Sequence, residues 1–86
     1  MTSRDEQIAE KIFELLAARA ADSTICPSDA ARALAADDAA WRALVPAVRR
    51  VAASLAQAGS LRVTQQGEDV DPLAARGPIR LGRRRP

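Results

Sequence analysis

The hydrophobic period of the chain changes at Gly59, and that change limits the fold more than any other feature. Before it, Val48, Val51, Ala52, Leu55 and Ala58 recur at i, i+3, i+4 and i+7, the mark of one buried helical stripe. After it, Leu61, Val63 and Gln65 alternate with Arg62, Thr64 and Gln66, as in a strand with one covered face. Gly59 at the join supplies the left-handed residue that ends many helices. Helices alone leave the second pattern unexplained. The chain needs a small sheet beside a helical core.

The remaining elements follow from local chemistry. Ser3 and Glu6 have capping-box spacing, and Ile8, Ile12, Leu15 and Leu16 form an apolar stripe, so a first helix is expected over residues 4–20. Ser23 to Cys26 is short and β-branched, which suits a brief strand. Pro27 and Ser28 resemble a helix start, opening a second helix that buries Ala30, Ala31 and Leu34. Pro46 is placed as the first residue of a helix over 46–58, because inside a helix it removes a hydrogen bond and clashes. Trp41 to Leu44 then forms a separate turn that drops both named side chains into the core. Gln66-Gly67 is a turn, with Gly67 at positive φ, and Glu68 to Val70 a return strand. Asp71-Pro72 opens an irregular excursion, and Pro78 to Leu81 is a last strand.

This order predicts a mainly α winged helix-turn-helix: a three-helix core with a two- or three-stranded antiparallel sheet. One domain is expected over 1–82, with 83–86 as a flexible basic tail. At 86 residues the core is thin, and the alanine-rich composition with only Phe13 and Trp41 as aromatics fits that limit.

Several function classes lose support. The single cysteine, Cys26, excludes an internal disulfide, and without histidine a metal site has a poor ligand set. The glycines stand alone at 59, 67, 77 and 82, so no phosphate loop exists, and no nucleophile–base pair is evident. No enzyme activity, metal or cofactor is expected. Neither a signal peptide nor a membrane span is visible, which points to a cytoplasmic protein. Cys26 reads as a small buried hydrophobe; the alternative is a thiol activated by the following helix.

Charge gives the positive lead. Residues 1–41 carry four basic groups against eight acids, a net of −4, whereas residues 42–86 carry nine arginines against three acids, a net of +6. Such asymmetry suits a protein with one side toward a polyanion. The outward face of helix 46–58 carries Arg49, Arg50, Ser54 and Gln57, with Arg42 just before it, and residues 42–67 contain no acid. In a helix-turn-helix these groups reach base edges and phosphates. Arg62, Arg76 and Arg80 fall in the wing and Arg83 to Arg85 in the tail, where phosphate contact is the usual role. For Arg76 and Arg80 an internal role, pinning a loop that holds Asp69 and Asp71, weighs equally. The expected partner is double-stranded DNA. The alternative is a protein partner or a second copy of the chain, recognised without DNA. The DNA reading requires the guanidinium groups after Trp41 to gather on one surface.

Four segments occur in order: Thr24-Ile25-Cys26-Pro27-Ser28, Trp41-Arg42-x-Leu44-Val45-Pro46-x-Val48-Arg49, Val63-Thr64-Gln65-x-Gly67 and Arg76-Gly77-Pro78-Ile79-Arg80. Together they resemble a small bacterial family of winged-helix domains catalogued as a domain of unknown function. The resemblance runs from the first helix to Leu81. It implies a fold and a cytoplasmic bacterial setting, and no mechanism.

Overall fold

Ser3 caps the first helix, its hydroxyl accepting the Glu6 N–H at 3.1 Å. The computed structural model describes residues 3–84, and α1 (Arg4–Ala17) buries Ile8, Ile12 and Leu16. It ends three residues before the expected position. A short strand, β1 (Thr24–Ile25), leads to α2 (Pro27–Leu34). Cys26, rather than Ser28, occupies the cap position of α2, and its backbone N–H donates to the Asp29 carboxylate at 2.9 Å.

The largest departure from expectation is α3 (Asp38–Gln57), one continuous helix with Pro46 inside it. Asp37 caps its start, accepting the Ala40 N–H at 2.8 Å. Pro46 lies on the exposed side, while Leu44, Val48, Val51 and Ala52 all enter the core. Both halves of the helix thus bury the same stripe. Packing outweighs the hydrogen bond that proline removes, and Pro46 and Arg42, whose carbonyl loses that partner, are both exposed residues. Trp41 stands only half-buried at the core's edge, not inside it. At the other end Gly59 (φ 78°) stops the helix: its N–H donates to the Ala56 carbonyl, and the Ser60 N–H to that of Leu55.

Three strands complete the molecule: β2 (Leu61–Gln65), β3 (Glu68–Asp69) and β4 (Arg80–Arg83). Gln66 and Gly67, both at positive φ (52° and 85°), make the two-residue turn between β2 and β3. The sheet is four-stranded and antiparallel in the order β1-β4-β2-β3, because β1 joins its edge through β4. Ile25, Leu61, Val63 and Leu81 face the helices, leaving Thr24, Arg62, Thr64, Arg80 and Gly82 on the solvent face. Three helices and a small sheet with a β wing form an arrangement compatible with a winged helix-turn-helix. Among the described residues no helix is long and apolar enough to cross a membrane.

Candidate functional site

The outward side of α3 is the surface that the sequence singles out. Its two ends differ. Near the start, two cations approach the Trp41 ring, with the Arg32 guanidinium 4.3 Å and that of Arg42 5.2 Å from the ring centroid. The indole N–H donates to Asp38 at 3.2 Å, which fixes the ring's tilt. Arg42 is exposed and makes no hydrogen bond to a carboxylate among the described residues. Farther along, Arg50, Ser54 and Gln57 are exposed, and Arg50 meets Asp5 of α1 at 2.8 Å. Both partners of that pair are more than half exposed, so it holds Arg50 only weakly.

Arg49 behaves otherwise. Its guanidinium reaches the excursion between β3 and β4 and donates to three backbone carbonyls: Pro72 at 3.2 Å, Ala75 at 2.8 Å and Gly77 at 3.3 Å. Gln65 pins the same segment from the sheet, donating to the carbonyls of Arg76 at 2.6 Å and Pro78 at 3.1 Å. An irregular segment has carbonyls without ladder partners, and these two side chains satisfy five of them.

The wing arginines are likewise engaged, and on another side. Arg62 donates to Asp69 at 3.0 Å, and Arg80 to the Thr24 hydroxyl at 2.8 Å, the Thr24 carbonyl at 3.0 Å and the Cys26 thiol. Arg80 therefore ties β4 to β1, an internal role with partners other than the expected Asp69 and Asp71. Arg76 is exposed, and the hydrogen bonds found at it run to its carbonyl. The sheet and α3 contribute to one core. The arginines after Trp41 are not all open: Arg49, Arg62, Arg80, Arg83 and Arg84 each hold a partner within the fold. Arg42, Arg50, Ser54 and Gln57 share α3, whereas Arg62 and Arg80 lie on the sheet and Arg49 lies under the excursion.

Other residues do work the sequence reading did not assign. Arg83 closes β4 instead of starting a loose tail, and it donates to the carbonyls of Leu16 in the last turn of α1 and Arg19 just beyond it. Arg84 donates to the Gly59 carbonyl at 2.9 Å, just past α3. Each guanidinium sits where a helix dipole is negative. A weak signal for Arg83 did exist: α1 runs out in Ala17 and Ala18 with neither a glycine nor a basic residue in its last turn, so no nearby side chain serves its last carbonyls. Arg32 gave no local signal, because only the turn between α2 and α3 brings it over Trp41. Arg85 and Pro86, the rest of the expected tail, fall outside the described residues.

Comparison with known proteins adds an assignment without a mechanism. A search of curated proteins found no match. The model of a family described as "Protein of unknown function (DUF3253)" matches residues 5–84, from the first turn of α1 to just beyond β4, and the chain belongs to that family.

Proposed function

We propose that the chain binds double-stranded DNA through a reduced surface, the outward face of α3, with Arg42, Arg50, Ser54 and Gln57 as its contacts. The observation that supports this most is the exposure of one flank of the helix, on which Arg42 has no carboxylate partner among the described residues and Arg50 has only the exposed Asp5. Those four side chains and Pro46 are exposed, and residues 39–67 carry no acid. The small residues Ala43 and Ala53 between them let the helix approach a groove closely. Arg49, Arg62 and Arg80 belong to the fold in this reading, and no catalytic step is part of it. With two arginines in reach of phosphate, binding is weak and the log–log salt slope is near −2. Fluorescence anisotropy on a random duplex, titrated from about 50 to about 200 mM salt, measures that slope. Absence of binding at the lowest salt removes the proposal.

One observation favours a protein partner instead. Leu73 is 65% exposed on the excursion, beside a groove where Ala53 and Ala56 of α3 face Val70 and Pro72. Leu73 with Ala53, Ala56, Val70 and Pro72 offers an apolar strip to another polypeptide or a second copy. Light scattering of the protein and of Leu73→Asp separates the two. Loss of a dimer in the variant supports the protein reading, since the groove shares α3 with the proposed DNA contacts.

A further inference from the structure

The sheet's solvent face carries a cleft of about 700 Å³, bounded by the loop between α1 and β1, the strands β4 and β2, and the β2–β3 turn. It shares no lining residue with the α3 surface.

Three features set this cleft apart from an ordinary sheet face. The first is its floor. Gly82 lies between Thr24 of β1 and Arg62 of β2 in the register. Its φ is not in the left-handed region, where Gly59, Gly67 and Gly77 all sit, so backbone conformation does not call for glycine. A glycine inside a strand weakens it, and one common reason for it is close approach of a ligand or another backbone. Gly82 is itself buried at the base of the cleft, and a Cβ there would stand 3.1 Å from the Thr24 methyl, tight contact that would push the floor outward.

The second feature is charge. Arg62, Arg83 and Arg84 line the cleft, Arg62 beside Gly82 in the register and Arg83 at the rim where its guanidinium meets the end of α1, and the lining carboxylate is Asp22. Each guanidinium is anchored by one of its nitrogens: Arg62 Nε to Asp69, Arg83 Nη2 to Leu16 and Arg19, Arg84 Nη1 to Gly59. The remaining N–H groups of each make no hydrogen bond among the described residues. Anchored arginines lose little freedom when they bind, and their forked donors match phosphoryl oxygens bidentately. The third feature is the hydroxyl pair Thr24 and Thr64, which adds neutral donors at the floor.

We infer that this cleft binds a diphosphate-bearing small molecule, the phosphoryl groups meeting Arg62, Arg83 and Arg84 above Gly82. Asp69 keeps Arg62 in place and tempers its charge, and the cleft is open to water, so the affinity is modest, with Kd on the order of 0.1–1 mM. The volume matches the range of ordinary ligand pockets and admits a nucleoside diphosphate as well as pyrophosphate itself.

Amide chemical-shift mapping of the full chain tests this with three probes: pyrophosphate, ADP and a short single-stranded oligonucleotide. Saturating shifts at Thr24, Arg62, Thr64 and Gly82 with pyrophosphate or ADP are expected. A Kd for ADP at least tenfold below that of pyrophosphate assigns a nucleotide, and comparable values assign the diphosphate group alone. The double variant Arg62→Gln/Arg84→Gln, both positions at the surface, should weaken binding at least tenfold while circular dichroism shows the fold intact. If it does not fold, Gly82→Ala read in a Thr24→Ser background, which removes the crowded methyl, carries the same expectation. Arg42→Ala/Arg50→Ala should leave the cleft's Kd unchanged and abolish only duplex binding, so failure of one proposal is distinct from failure of the other. No saturation at about 5 mM of either phosphate, shifts spread over every arginine, or binding of the oligonucleotide alone would each overturn the inference.

Discussion

Two regions of α3 use the same residue type in opposite ways. At the seam with the β3–β4 excursion, Arg49 is half-buried and divides its guanidinium among three backbone carbonyls. On the open side Arg42 stays exposed, stacked beside Trp41 and free of any carboxylate among the described residues. The difference shows that positive charge counted along a sequence is not positive potential on a surface. In a chain with a thin, alanine-rich core, a guanidinium fork can close a seam that a larger protein fills with apolar side chains. Charge at a seam stabilises the fold. Charge on an open face is available to a partner.

The seam should yield the largest effect. Arg49→Ala removes three charge-assisted hydrogen bonds and leaves the carbonyls of 72, 75 and 77 without that donor. Discounted for partial exposure, the loss is about 2–3 kcal/mol, which in a domain of this size lowers the melting temperature by roughly 10–20 °C. Arg49→Lys keeps the charge but offers no planar fork, and should recover less than half of the loss. Thermal unfolding followed by circular dichroism reads both. A loss below about 0.5 kcal/mol would mean that Pro72 and Ile79, both buried, hold the excursion without the arginine.

Arg83 sharpens the comparison at a helix end. Its guanidinium is exposed, yet it meets the carbonyls of Leu16 and Arg19. Arg83→Ala should cost about 1 kcal/mol, with hydrogen exchange quickening selectively in the last turn of α1. Uniform quickening through the chain would assign the effect to β4 instead.

Where the sequence was readable, one local rule sufficed. The Ser3 cap, the period change at Gly59 and the Gln66-Gly67 turn each rest on a few adjacent residues, and all three stand in the structure. Pro46 defeated the same approach. A local rule opposes proline inside a helix, but the apolar stripe from Leu44 to Val51 continues across it, and long-range packing decided the matter. The candidate site was less legible than the fold for a related reason. Whether an arginine faces water or a carbonyl depends on residues far away in the chain: Pro72 and Gly77 for Arg49, Thr24 for Arg80, Leu16 for Arg83. No periodicity records those partners. Trp41 was misplaced similarly, since only the turn after α2 brings Arg32 over its ring.

The open face should give the smallest change in stability and the most specific change in binding. Arg42→Ala removes one exposed cation–π contact, worth about 0.5 kcal/mol, so the melting temperature should move by only a few degrees. Trp41 is the chain's sole tryptophan, and its emission should respond because a cation 5.2 Å from the ring centroid is gone. On the proposed DNA surface the same substitution removes one of two phosphate-reaching arginines, reducing the salt slope by about one. A variant that is nearly as stable as the parent, spectrally altered and less salt-sensitive on duplex DNA would place Arg42 among the available charges. If instead Arg42→Ala destabilises the chain as much as Arg49→Ala does, the open face is also part of the fold. The division between seam and surface then fails on the helix where it is drawn most sharply.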